Sequence, residues 1–142
     1  MSSPSHPGRG SPGPAVVGVG VDAVDVERFR RVLARRPSLA ARVFSDDERA
    51  DAARGGDPAE RLAARFAAKE ATMKALGVGI GGLALRDVEV VRTPGPGAHA
   101  GAPSLRLGPS AAAAAEAAGV SRWHVSLSHT GAVALAMVVA EA

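Results

Sequence analysis

The residues best suited to chemistry cluster in one stretch, Arg65-Phe66-Ala67-Ala68-Lys69-Glu70-Ala71-Thr72-Met73-Lys74. Phe66, Glu70 and Lys74 are four apart, so on a helix they share one face. A carboxylate one turn before an ammonium is an ordinary helix ion pair, worth about 0.2–0.5 kcal/mol. The same line passes through Leu62, so the face is expected to point inward, where a Glu–Lys pair is costly without a further partner. A metal ion together with a phosphate is such a partner. Lysine usage points the same way: the chain has 15 arginines and only two lysines, Lys69 and Lys74. A compact ammonium with rotatable donors suits phosphate and is not interchangeable with a planar guanidinium.

A second group is Gly18-Val19-Gly20-Val21-Asp22. The dinucleotide fingerprint G-x-G-x-x-G fails, because Ala23 stands at the third glycine position. A carboxylate at a strand end repels a pyrophosphate unless a metal lies between them. Asp22 is therefore either a metal-facing carboxylate or the N-cap of the next helix. A third group is Ser126-Leu127-Ser128-His129-Thr130, where a strand runs into a tight turn. His129 can serve there as a base, a phosphate ligand or a turn residue. A serine hydrolase is disfavoured, since the G-x-S-x-G elbow is missing. His6, His99 and His124 receive no role.

These groups need elements to hold them. Ala15 to Val21 reads as a buried strand ending at Asp22, and Val24 to Arg36 as an amphipathic helix closed by Pro37. Val26, Phe29 and Leu33 share one face of that helix, and Arg28, Arg31 and Arg35 another. Ser45 and Glu48 form a capping box for a short helix stopped at Gly55-Gly56. Asp57-Pro58-Ala59-Glu60 starts a long helix running to Leu76, with Gly77 as its stop. Gly77 to Gly82 is a glycine-rich loop. Strands are predicted over Leu85–Arg92, Ser104–Leu107, Trp123–Ser128 and Ala132–Ala140, with a mobile loop at Thr93–Pro103 and a helix at Pro109–Ala118. Residues 1–14, rich in Ser, Pro and Gly, are expected to be a disordered tail, leaving one domain over 15–142. The mixture of helices with hairpin-connected strands indicates an α+β domain.

Composition narrows the classes. Hydrophobic residues make up 46% and aromatic residues 3%, so the core must be built from Val, Leu and Ala. Without cysteine, thiolate metal sites, disulfides and cysteine nucleophiles are excluded. No apolar run approaches the ~20 residues of a membrane helix, and no signal peptide is read, so a cytoplasmic protein is expected. From Arg28 to Phe44 there are six arginines and no acid, although the net charge is only +3. This block is either a solvated helix face or a surface for an acidic partner. The scarcity of stacking aromatics argues against nucleic acid.

Read in order, GVGVDAVDVERFR (18–30), FSDDE (44–48), RFAAKEATMKALGVGI (65–80) and WHVSLSHT with AVALAMVV (123–139) resemble the small, single-domain holo-acyl-carrier-protein synthase family of phosphopantetheinyl transferases. The resemblance covers nearly everything from residue 15 onward. It implies an α+β fold with an antiparallel sheet, assembled as a homotrimer with sites at subunit interfaces. It implies transfer of 4'-phosphopantetheine from coenzyme A to a serine of an acidic acyl carrier protein, with release of adenosine bisphosphate. Carried over residue by residue, it makes Asp22 and Glu70 the magnesium ligands and Lys74 the partner of the coenzyme A pyrophosphate. His129, Thr130, Arg65 and Gly77 fall in the coenzyme-binding set. Arg28, Arg31 and Arg35 meet the carrier. The serine proton goes to Glu70 or to a metal-bound water. Magnesium suits this set, since it takes one or two carboxylates together with substrate phosphates. The N-terminal tail, the proline-rich loop at 93–103 and Met73, in place of a small polar residue, depart from the family pattern. The competing function is a noncatalytic module that binds an acidic protein through the Arg28/Arg31/Arg35 face.

Overall fold

The computed structural model describes Gly13 and residues 15–142. The tail expected at 1–14 therefore lies outside the described residues, Gly13 apart. Strand β1 (Val16–Asp25) leads into α1 (Val26–Arg35), α2 (Pro37–Val43), α3 (Asp46–Ala53) and the long α4 (Pro58–Leu76). A 3₁₀ turn at Leu85–Asp87 precedes β2 (Val88–Arg92) and β3 (Pro103–Leu107), then α5 (Pro109–Ala117), β4 (Arg122–His129) and β5 (Val133–Glu141). A three-stranded antiparallel sheet has the order β1-β5-β4, and β2 with β3 forms a separate antiparallel pair. The class is α+β, as the sequence implies.

Helix α4 lies across the sheet because β1 has no side chains where the two meet. A Cβ at Gly18 would overlap the carbonyl oxygen of Ala75, and one at Gly20 that of Ala71. The periods match: two strand residues advance ~6.6 Å and four helix residues ~6 Å. The strand and helix run in opposite directions here, so the next inward position on β1, Asp22, arrives beside the turn of α4 that precedes Ala71. Alanine dominates this contact. Ala67, Ala68, Ala71 and Ala75 pack with Ala136, Val138 and Ala140 of β5 in one core cluster. The glycines that hinted at a nucleotide turn thus serve a helix–strand contact.

A second cluster joins Val26 and Phe29 of α1 to Val43, Phe44, Ala52, Leu62 and Ala63. Phe29 lies 5.3 Å from the Phe66 ring and 6.3 Å, edge-on, from the Phe44 ring. The three phenylalanines are thereby gathered around α1, while Trp123 packs against the other cluster.

The capping predictions for α3 and α4 hold. Ser45 and Glu48 make both halves of the capping box. Asp57 caps α4 through Ala59 N, and Gly77 ends the helix at φ 68°, in the left-handed region that favours glycine. Other predicted features change. The strand expected to be buried at Ala15–Val21 has Val16, Val17, Val19 and Val21 exposed, because only its glycine side packs on α4. Strand β1 continues to Asp25, and Asp25, not Asp22, caps α1 by accepting from Arg28 N. Helix α1 does stop just before Pro37, with Arg36 as its C-cap, but Pro37 also opens the unanticipated α2 at a first-turn position, where its missing N–H is no loss. Residues Leu85–Asp87 form a 3₁₀ turn instead of the start of β2.

Candidate active site

With the cap duty taken by Asp25, the Asp22 side chain is left on the helix-facing side of β1. It meets α4 there. Lys74 Nζ donates to the Val21 carbonyl at 2.9 Å and to Asp22 Oδ1 at 3.2 Å. The Glu70–Lys74 helix pair is accordingly not formed, since the ammonium turns to the strand. Nor is the whole Phe66–Glu70–Lys74 line buried: Leu62 is buried, Phe66 and Glu70 are half-buried, and Lys74 is exposed.

Asp22 and Glu70 line one cleft of ≈ 650 Å³. Asp25 and Arg28 also line it, and the rest of the lining is largely apolar, with Phe29, Val32, Leu39, Val43, Phe44, Phe66 and Leu85. Burial pushes the Glu70 carboxyl above the usual glutamate range. The Asp22 charge adds to this, and Lys74 opposes it. A buried carboxyl raised further by a neighbouring carboxylate in the same cleft marks a place where a cation is favoured. Among the described residues no group of three or more His, Cys, Asp or Glu is arranged to hold a metal. Magnesium needs no such group, because one or two carboxylates plus substrate phosphates complete its shell. Asp22 and Glu70 fit that requirement.

The arginines of α1 expose one charged face. Arg28, Arg31 and Arg35 are all exposed, and Arg28 reaches the cleft itself. Other predicted residues stand elsewhere in the chain. His129 Nδ1 is 2.6 Å from Glu60 Oε1, at the far end of α4. The Thr130 hydroxyl accepts from Ala132 N and Val133 N, clasping the β4–β5 turn. Arg65 is buried, pairs with Asp51, and lines a smaller hollow of ≈ 230 Å³ with Arg54, Arg92 and Arg106. Gly77 ends α4 beyond Lys74. Within one chain, Arg65, Gly77, His129 and Thr130 do not line the Asp22–Glu70 cleft. The apolar wall, Phe44 and Leu85 above all, escaped sequence reasoning, because those residues come together only through tertiary contact.

The geometry can now be set beside known proteins. The profile of the 4'-phosphopantetheinyl transferase superfamily matches residues 18–138. The chain belongs to the 4'-phosphopantetheinyl transferase superfamily. A holo-acyl-carrier-protein synthase of Frankia casuarinae is 54% identical over 127 residues, covering 89% of this chain and 98% of that protein. One from Salinispora arenicola is 53% identical over 128 residues, with 89% and 98% covered. Among solved structures, the holo-acyl-carrier-protein synthase of Neisseria meningitidis has a TM-score of 0.79 at 34% identity, covering 90% of this chain and 100% of that one. The Bacillus anthracis enzyme, solved in complex with CoA (3',5'-ADP), has a TM-score of 0.69 at 31% identity, covering 89% and 97%. Asp22 and Glu70 both lie within the matched span, on β1 and α4. No helix among the described residues is long and apolar enough to cross a membrane.

Proposed function

We propose that the chain transfers the 4'-phosphopantetheine arm of coenzyme A to a serine of an apo acyl carrier protein, with magnesium held by Asp22 and Glu70. The observation that carries this reading is the convergence of those two carboxylates on one cleft that also holds Arg28. Magnesium, when bound, supplies charge neutralisation on the pyrophosphate. Glu70, with its carboxyl raised by burial and by Asp22, takes the serine proton, directly or through one water. The serine oxygen forms the new bond to phosphorus, the pyrophosphate bridge breaks, and adenosine 3',5'-bisphosphate leaves. The Lys74 ammonium, on a flexible and exposed stem, swings from Asp22 to the pyrophosphate. Catalysis of this kind is mainly positioning and charge stabilisation.

Arg28, Arg31 and Arg35 receive the acidic carrier, beside the cleft where its serine must react. The same reading makes the active unit a homotrimer. The outward side of the sheet supports this, because Val19, Val21, Leu135 and Met137 lie exposed on adjacent strands β1 and β5. Such an apolar strip suits a second copy of the chain. Arg65, Gly77, His129 and Thr130 would then hold the nucleotide end of coenzyme A where two subunits meet.

The test is to incubate the protein with magnesium, coenzyme A and apo carriers from fatty-acid and polyketide synthesis, and to weigh the carriers. A gain of one phosphopantetheine mass on at least one carrier is expected. Folded protein that modifies none of them would leave the noncatalytic carrier-binding module as the better reading.

A further inference from the structure

The chain's other lysine has no role in the proposed reaction, and the structure gives it an unusual setting. Lys69 and Glu48 are both fully buried, with 0% of either side chain exposed. Lys69 Nζ lies 2.7 Å from Glu48 Oε1, 3.1 Å from the Leu85 carbonyl and 2.5 Å from the Val88 carbonyl. These acceptors match the ammonium's three donors. The Phe44 ring lies 5.4 Å from the same nitrogen. Glu48 is equally occupied: Oε1 also accepts from Ser45 N at 3.1 Å, and Oε2 from Val90 N at 3.2 Å. One ion pair therefore ties α4 to the start of α3, to the 3₁₀ turn and to β2.

Stability alone is a poor reason for this arrangement. A buried ion pair can often be replaced by apolar residues of similar volume at no loss, and burial already pushes the Lys69 ammonium below the usual lysine range despite Glu48. What an apolar pair lacks is direction. Lys69 directly precedes Glu70 in the helix, so the two side chains leave α4 about 100° apart. Any rotation of α4 that moved Glu70 in the cleft would also pull Lys69 from its acceptors. Phe44, immediately before the Ser45 cap, and Leu85, whose carbonyl Lys69 binds, form part of the wall of the same cleft. The opposite side of α4 rests on Gly18 and Gly20 by smooth backbone contact, and its polar tie to β1, from Lys74 to Val21 and Asp22, is exposed and belongs to the side chain that swings to the pyrophosphate.

We propose that Glu48 and Lys69 are a positioning pair, which sets the rotation of α4 and the cleft wall so that Glu70 meets Asp22 and the substrate phosphate correctly. The inference rests on the transferase reading, and parent turnover, measured first, tests that reading separately. Misplacement of a catalytic group by about 1 Å can lower the rate on the order of 100-fold.

The decisive protein is the double variant Glu48→Leu/Lys69→Met, which removes both charges and keeps the volume. It is compared with Glu48→Gln and Lys69→Met at a temperature where circular dichroism shows each folded. The double variant is expected to melt below the parent, because Ser45 N, Val90 N and the Leu85 and Val88 carbonyls lose their partners, and in its folded state kcat is expected to fall about tenfold or more, with KM for the carrier unchanged. A merely structural pair would instead leave kcat at the parent value once the protein is folded, and that result overturns the proposal. Should the double variant not fold, Glu48→Gln decides, since it keeps shape and acceptor. A lower kcat at unchanged carrier KM supports the pair's role, and a parent-like kcat removes it.

Discussion

Lys74 Nζ bridges α4 to β1 by binding Asp22 Oδ1 at 3.2 Å, one turn along the helix from the Glu70 that the same carboxylate raises in pKa. A single ammonium thus answers a pair of carboxylates, in the place assigned to magnesium. Asp22→Ala and Glu70→Ala are each expected to lower magnesium-dependent turnover by about 100-fold or more. Their melting temperatures should stay near the parent's, because neither side chain is a core residue. Steady-state rates across a magnesium titration check this, and a variant with full activity would leave the ligand set. Lys74→Ala should weaken coenzyme A use while leaving the carrier KM unchanged.

Charge reversal on α1 tests the carrier surface. Arg28→Glu and Arg35→Glu are expected to raise the carrier KM about tenfold and to flatten its salt dependence, since exposed charges act mainly on encounter. Arg35→Glu, away from the cleft, should leave kcat unchanged. Initial rates at two ionic strengths separate the effects.

The outer side of the sheet tests assembly. Val21 and Met137 are opposite partners on β1 and β5, 53% and 47% exposed. Val21→Asp and Met137→Asp are expected to give monomers by light scattering and to lose turnover, because the coenzyme site would be left incomplete. A parent protein that is itself monomeric would end the trimer proposal.

The glycine contact predicts a mutation that breaks fold and site together. Gly20→Ala places a Cβ on the Ala71 carbonyl, and α4 must move off the sheet. A loss of about 1–3 kcal/mol or more is expected in urea unfolding, together with lower turnover, because Glu70 travels with the helix.

Acid stability has an identifiable contributor. The hydrogen bond from Arg30, which joins α1 to the cap of α4 through Nη1 at 2.8 Å and Nη2 at 2.5 Å, holds the Asp57 carboxyl down at about 2. A carboxyl depressed on folding contributes stability above its unfolded pKa, here the ordinary value of 3.8, and loses that contribution as pH falls through about 2. Asp57→Asn should therefore lower the melting temperature at neutral pH and flatten its fall between pH 3.8 and about 2. A melting curve series across that range reads both effects.

Much of this site was legible in residue order. The caps Ser45, Glu48 and Asp57 and the stop Gly77 were readable because a helix end is a local problem of orphan N–H and C=O groups. Asp22 and Glu70 were identifiable as partners only through the family resemblance. The sequence left open whether Asp22 capped a helix, and the competing cap, Asp25, lies only three residues on. Lys69 was misread for the opposite reason. The scarcity of lysine suggested phosphate for it as for Lys74, whereas its acceptors, Glu48, Leu85 and Val88, come from segments up to 21 residues away.

By itself the sequence determined the α+β class, the long helix with its Glu70 and Lys74, the arginine face and the family. These follow from periodicity, caps and motifs, which act over a turn or two of chain. Only the tertiary structure decided which carboxylate faces the cleft, where each lysine goes and what walls the site. Those outcomes depend on α4 settling onto Gly18 and Gly20. That contact carries Asp22 to Lys74 on one side of the helix and Lys69 into a buried pair with Glu48 on the other.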